Sequence, residues 1–115
     1  MPDKRRLKRK QLIYYLSVFD MDANKRIGQL VNITTEGLML TSEKPIKVNS
    51  AFQLKMDLPE EIKGQKQITF DARSMWCRKG VNPDFYDIGF QLVNISQENS
   101  KIIERLIFDF SFYNT

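Results

Sequence analysis

The clearest signal along the chain is strict alternation over residues 51–58. Phe52, Leu54, Met56 and Leu58 fall on one side, with Gln53, Lys55 and Asp57 on the other. That period of two is the mark of a half-buried strand. The same pattern predicts a long strand over 67–78, with Ile68, Phe70, Ala72 and Trp76 inward and Thr69, Asp71 and Arg73 outward. It predicts another around Tyr86, Ile88, Phe90 and Leu92. Residues 12–19 are short and rich in β-formers on both faces, which predicts a strand buried on both sides over part of its length. Residues 26–33, with Ile27, Val31 and Ile33 set against Gly28 and Asn32, give a further strand, and 38–42 another. The connections carry turn residues: Asp20 to Lys25, Thr34 to Gly37, the Pro45 loop, Pro59 to Gly64 and Lys79 to Pro83. Gly37 is expected to supply a positive φ at its turn.

The period changes after Ile95. Ser96 is placed to cap a helix with Glu98 near its positive end. Ile102, Ile103, Leu106, Ile107 and Phe110 then share one helical face. Six short antiparallel strands followed by one helix predict a mainly β fold, a closed six-stranded barrel with a C-terminal α-helix over an open end. Trp76, Tyr14 and Tyr15 read as core, and Cys77 as an inert strand residue. Residues 12–115 form one domain, preceded by an arm over 1–11.

Charge changes this picture at one place. Lys4-Arg5-Arg6-Leu7-Lys8-Arg9-Lys10 has six cationic side chains in seven. Residues 1–11 carry net +5, and the remaining 12 basic and 13 acidic side chains leave the body at −1. A positive field confined to one end fits a discrete anionic partner better than a protein that coats a polyanion. A run of like charges does not fold on itself, so the arm is expected to be extended.

The chain has no histidine and a single cysteine. The first fact removes the commonest general base and the usual zinc ligand; the second removes an intramolecular disulfide. Glu60, Glu61, Asp84 and Asp87 lie in or beside turns and form no acid/base pair or metal cluster by spacing. No apolar run reaches the roughly 20 residues that span a bilayer, and no secretory signal opens the chain. A cytoplasmic protein that is neither an enzyme nor a holder of metal or cofactor is expected.

Two motifs give the positive reading. Arg5 and Arg9 form R-x-x-x-R, with Arg6 and Lys10 as a poorer version of the same spacing. Asn32-Ile33-Thr34-Thr35-Glu36-Gly37 forms N-x-T-x-x-G where a strand meets a turn. Together with Trp76-Cys77-Arg78 and Ile88-Gly89-Phe90-Gln91, over roughly Lys4 to Phe110, this resembles the PilZ domain, a bacterial receptor for cyclic di-GMP. The family usually has Ser where Thr34 stands; threonine keeps the hydroxyl and adds a methyl. The resemblance implies that Arg5, Arg9, Asn32 and Thr34 contact cyclic di-GMP beside Gly37, with Arg6 and Lys10 as further contacts. Ordering of the basic arm around the ligand is expected to make a new surface that a downstream partner protein reads, in motility or biofilm signalling. Ligand stoichiometry and oligomeric state stay open.

The residue chemistry agrees. An arginine fork donates two parallel hydrogen bonds to a phosphate or to guanine O6 and N7, and its flat cation stacks on purines. Asn32 offers an amide to a base edge and Thr34 a hydroxyl that donates and accepts. Two other readings stand beside this one. The first is a barrel of the same fold that binds no nucleotide and acts as an adaptor between proteins. The second is a barrel that binds nucleic acid through its basic arm, which the net −1 body disfavours.

Overall fold

The computed structural model describes residues 16–62 and 64–110, with side chains through Phe108. Six strands and one helix follow in order: β1 (Ser17–Asp20), β2 (Lys25–Ile33), β3 (Gly37–Ser42), β4 (Ala51–Asp57), β5 (Gln67–Lys79), β6 (Tyr86–Val93) and α1 (Gln97–Phe110). All pairings are antiparallel, and the strands close in the order β1-β2-β3-β6-β5-β4. The expected fold is the observed one. The arm over 1–11, the predicted strand residues 12–15, and the placement of Tyr14 and Tyr15 in the core lie outside the described residues.

The barrel fills with the alternating apolar positions. Val18, Leu40, Leu54, Met56, Ile68 and Ile88 are buried to 1% exposure or less. Phe52 meets Phe90 edge to face, ring centroids 5.6 Å apart, the arrangement that sets a positive ring edge against a negative face. On α1, Ile103 and Leu106 are fully buried. Ser96 caps the helix by accepting from the Asn99 amide at 3.0 Å. The Asn99 side chain in turn donates to the Thr69 carbonyl at 2.8 Å, tying the first helical turn to β5.

Two short loops are fixed by side chains. In the β1–β2 turn, Asp20 Oδ1 accepts from the amides of Asp22 and Ala23. Asn24 there takes a φ of 55°, which asparagine tolerates better than most residues. Ser74, on β5, is fully buried. Its hydroxyl donates to the Lys47 carbonyl at 2.7 Å and accepts from the Ser50 amide at 3.0 Å. The Ser74 hydroxyl thereby joins two backbone groups of the β3–β4 loop to the wall, beside the Arg73 bond to Asn49 Oδ1 at 3.3 Å.

Two strands break the alternation. In β2 the pairing with β3 slips between Leu30 and Asn32, so Val31 is an extra residue. Val31 is 43% exposed, and Leu30 and Ile33 are the buried residues. The expectation of Val31 facing inward is corrected: the bulge turns two consecutive side chains, Val31 and Asn32, outward. In β5 the pairing with β6 slips between Ser74 and Trp76. Met75 is 51% and Trp76 37% exposed, while Ser74 takes the inward position. The reading of Trp76 as core is likewise corrected.

Candidate functional site

Both bulges lie on one cross-strand row. Asn32 is opposite Met39, Met39 opposite Gly89, and Gly89 opposite Trp76. These four residues run across β2, β3, β6 and β5 on the outer surface, roughly 14 Å from end to end at three strand spacings. A bulge bends its strand and increases the local twist. The row is thus bounded on each side by a bulge, with the regularly paired β3 and β6 between.

Two glycines on these strands leave room that a side chain would take. A Cβ on Gly37 would stand 2.5 Å from the Phe90 carbonyl oxygen, and a Cβ on Gly89 would run into the Trp76 indole. Gly37 does not adopt a positive φ; among the described glycines only Gly64 does. The expectation that Gly37 makes the turn through a left-handed backbone is therefore corrected. Glycine is required there by the approach of β6.

The turn is made by Thr34 instead. Its Oγ1 accepts from the amides of Glu36 at 3.1 Å and Gly37 at 3.2 Å. The Thr34 amide donates to the Gly37 carbonyl at 2.8 Å. The hydroxyl so closes the 34–37 loop, a job that serine would also do. Glu36 completes it by accepting from the Leu92 amide at 2.9 Å, which ties the loop to β6.

Asn32 is exposed, and its Oδ1 accepts from the Ile33 amide at 2.9 Å. This fixes the side chain and leaves the amide NH2 without a protein partner among the described residues. Asn32, Thr34 and Gly37 therefore come together at one rim, as their spacing predicted. Arg5, Arg9, Arg6 and Lys10 lie outside the described residues. The chain joins the barrel beside this rim: the Leu16 carbonyl accepts from the Leu30 amide at 2.8 Å, two positions from Asn32.

Trp76 is the residue that the pattern of the sequence concealed. Its indole lies across Gly89 with one face on the backbone. The Arg78 guanidinium covers it at 4.7 Å from the ring centroid. The signal available was the glycine opposite, since a cross-strand glycine is a place where a large ring can lie flat. Larger concavities lie elsewhere. A groove of about 650 Å3 touches Lys25, Ile27, Ile46 and Phe52, at the opposite end of β2 from Asn32. Among the described residues no three His, Cys, Asp or Glu gather in a metal-holding group. No helix among them is long and apolar enough to cross a membrane.

The family model described as the PilZ domain matches residues 3–109. Among solved structures, the Bacillus subtilis inhibitor of motility MotI/DgrA aligns with a TM-score of 0.65 at 16% identity, covering 78% of this chain and 43% of that one. The PilZ domain of Escherichia coli YcgR with cyclic di-GMP gives 0.63 at 16% identity, covering 85% and 80%. YcgR from Escherichia coli in complex with cyclic di-GMP gives 0.64 at 15% identity, covering 84% and 41%. The chain spans less than half the length of MotI/DgrA and of the YcgR chain in that last complex. A comparison with curated proteins gives no match.

Proposed function

The chain belongs to the PilZ domain family, and from that premise we propose that it is a cytoplasmic receptor for cyclic di-GMP. It does no chemistry on the ligand and passes binding on to a partner protein. The observation that carries this reading is the meeting of Asn32, Thr34 and Gly37 at one rim, two positions from where the chain joins the barrel. Arg9 is seven residues before Leu16, a reach of at most ~25 Å. That length brings both arginines within range of a ligand seated beside Asn32. The Asn32 NH2 would meet a base edge, and Arg5 and Arg9 the phosphates and guanine faces. Arg6 and Lys10 add charge at the same place. Two neighbours of the same fold, one named an inhibitor of motility and the other solved with cyclic di-GMP, support the reading.

The test is calorimetric titration of the protein with cyclic di-GMP, with GTP as control. Unaltered protein should bind, and Arg5→Ala or Arg9→Ala should weaken binding by about 1–3 kcal/mol each. Absence of heat from the unaltered protein would sink the proposal.

One observation favours a second reading. Asn32 Oδ1 and Thr34 Oγ1 both accept from backbone amides of their own loop. A rim that satisfies its own acceptors is also what a nucleotide-free adaptor of the same fold would show. The titration decides between the two.

A further inference from the structure

The β1–β2, β3–β4 and β5–β6 connections all lie at the end of the barrel away from Asn32, and the groove of about 650 Å3 runs among them. Ile27, Ile46 and Phe52 line it, part-buried and packed against the core, and Phe85 lines it at 36% exposure. Each connection is held by hydrogen bonds of its own. Asp20 fixes the β1–β2 turn. In the β3–β4 loop the Ser42 hydroxyl accepts from the Lys44 amide at 3.3 Å, and Ser74 holds Lys47 and Ser50. The Phe85 amide donates to the Asn82 carbonyl at 3.0 Å, and the Phe85 carbonyl accepts from the Gly80 amide at 2.9 Å. The groove is therefore formed before anything enters it, and its size is that of a small-molecule site.

Charge decides what kind of molecule fits. Lys25, Arg26 and Lys44 line the groove beside Asp20 and Glu43, three cations against two carboxylates. The Asp20 carboxylate is engaged by the amides of Asp22 and Ala23, and Arg26 Nε donates to the Ser17 hydroxyl at 3.0 Å. The ammonium groups of Lys25 and Lys44 make no hydrogen bond or ion pair among the described residues. Two uncommitted cations beside apolar side chains suit a molecule with one negative end and a hydrocarbon or aryl body. The apolar wall displaces water and strengthens the attraction. A surplus of one positive charge, with Glu43 close by, favours a single carboxylate over a phosphate dianion.

We propose that this groove binds a small amphipathic monocarboxylate, its acyl or aryl body on Ile27, Ile46 and Phe52 and its carboxylate on Lys25 and Lys44. The site lies at the other end of β2 from Asn32, so the inference stands apart from the receptor reading and does not need cyclic di-GMP.

The experiment titrates the full chain, its isoleucine methyl groups labelled, with octanoate below its micelle-forming concentration and follows it by NMR. Octanol and octylamine, with the same chain and no negative charge, are the controls. Octanoate should shift the methyl signals of Ile27 and Ile46 saturably, and both controls should bind at least about threefold more weakly. The double variant Lys25→Ala, Lys44→Ala should weaken octanoate binding by at least the same factor. Both side chains are exposed, so its melting temperature should match that of the unaltered protein. The inference is overturned if octanoate leaves both methyl signals in place. It is overturned too if either control, or the double variant, falls short of that factor.

Discussion

Trp76 lies flat across the backbone of Gly89, its partner on the neighbouring strand. The ring occupies the space that any side chain at 89 would need. Gly89→Ala must therefore displace the indole, lift Arg78 with it, or part the strands. We expect a loss of about 1–3 kcal/mol in stability, as for other over-packed sites, with a shift of Trp76 emission toward that of a hydrated indole. Urea melting followed by fluorescence measures both. An alanine variant of unchanged emission would show that the ring does not rest there.

The 34–37 loop depends on a hydroxyl. Thr34→Ala leaves the Glu36 and Gly37 amides to water and should cost about 0.5–1.5 kcal/mol. Thr34→Ser keeps the acceptor and should lie within a few tenths of the unaltered protein. Equal melting of the alanine and serine variants would refute the role given to Oγ1.

Legibility in the sequence divided along the bulges. Alternation at 51–58 and the helical spacing after Ser96 located β4 and α1 because each residue there obeys a single period. Val31 and Trp76 were misplaced for one shared reason. An inserted residue in β2 and another in β5 shift the phase by one, so apolar side chains that count as inward by period end outward. A bulge depends on the partner strand as much as on its own, and no local pattern carries it. The meeting of Asn32, Thr34 and Gly37 was legible as a motif. The reason for the glycine was not, since the pressure on it comes from Phe90, more than fifty positions later.

Among the described residues Ser74 is the one fully buried polar side chain, and it holds two backbone groups of the β3–β4 loop. Ser74→Ala strands the Lys47 carbonyl and the Ser50 amide beside an apolar core. A cost of about 1–3 kcal/mol follows from leaving buried groups unmatched. Amide exchange at Ser50 should quicken with it. An unchanged exchange rate would mean that the loop is held by other means.

If the arm closes over the ligand, amides 4–10 should exchange more slowly once cyclic di-GMP is bound. Ordering about eight residues at roughly 1–2 kcal/mol each is a large cost, so the protection should vanish when Arg5 and Arg9 are both alanine. Hydrogen exchange by mass spectrometry reads this directly. Identical uptake in the free and saturated protein would contradict closure.

Closure of the barrel constrains how any message can leave it. With β4 returning to β1, each described strand has a neighbour on both sides. A partner finds no full-length strand edge on which to add a strand of its own, a common route to affinity without sequence demands. It must instead recognise side chains on a face, a loop or the helix. Point substitutions on the outer surface should therefore be able to abolish partnership while leaving the folded molecule intact.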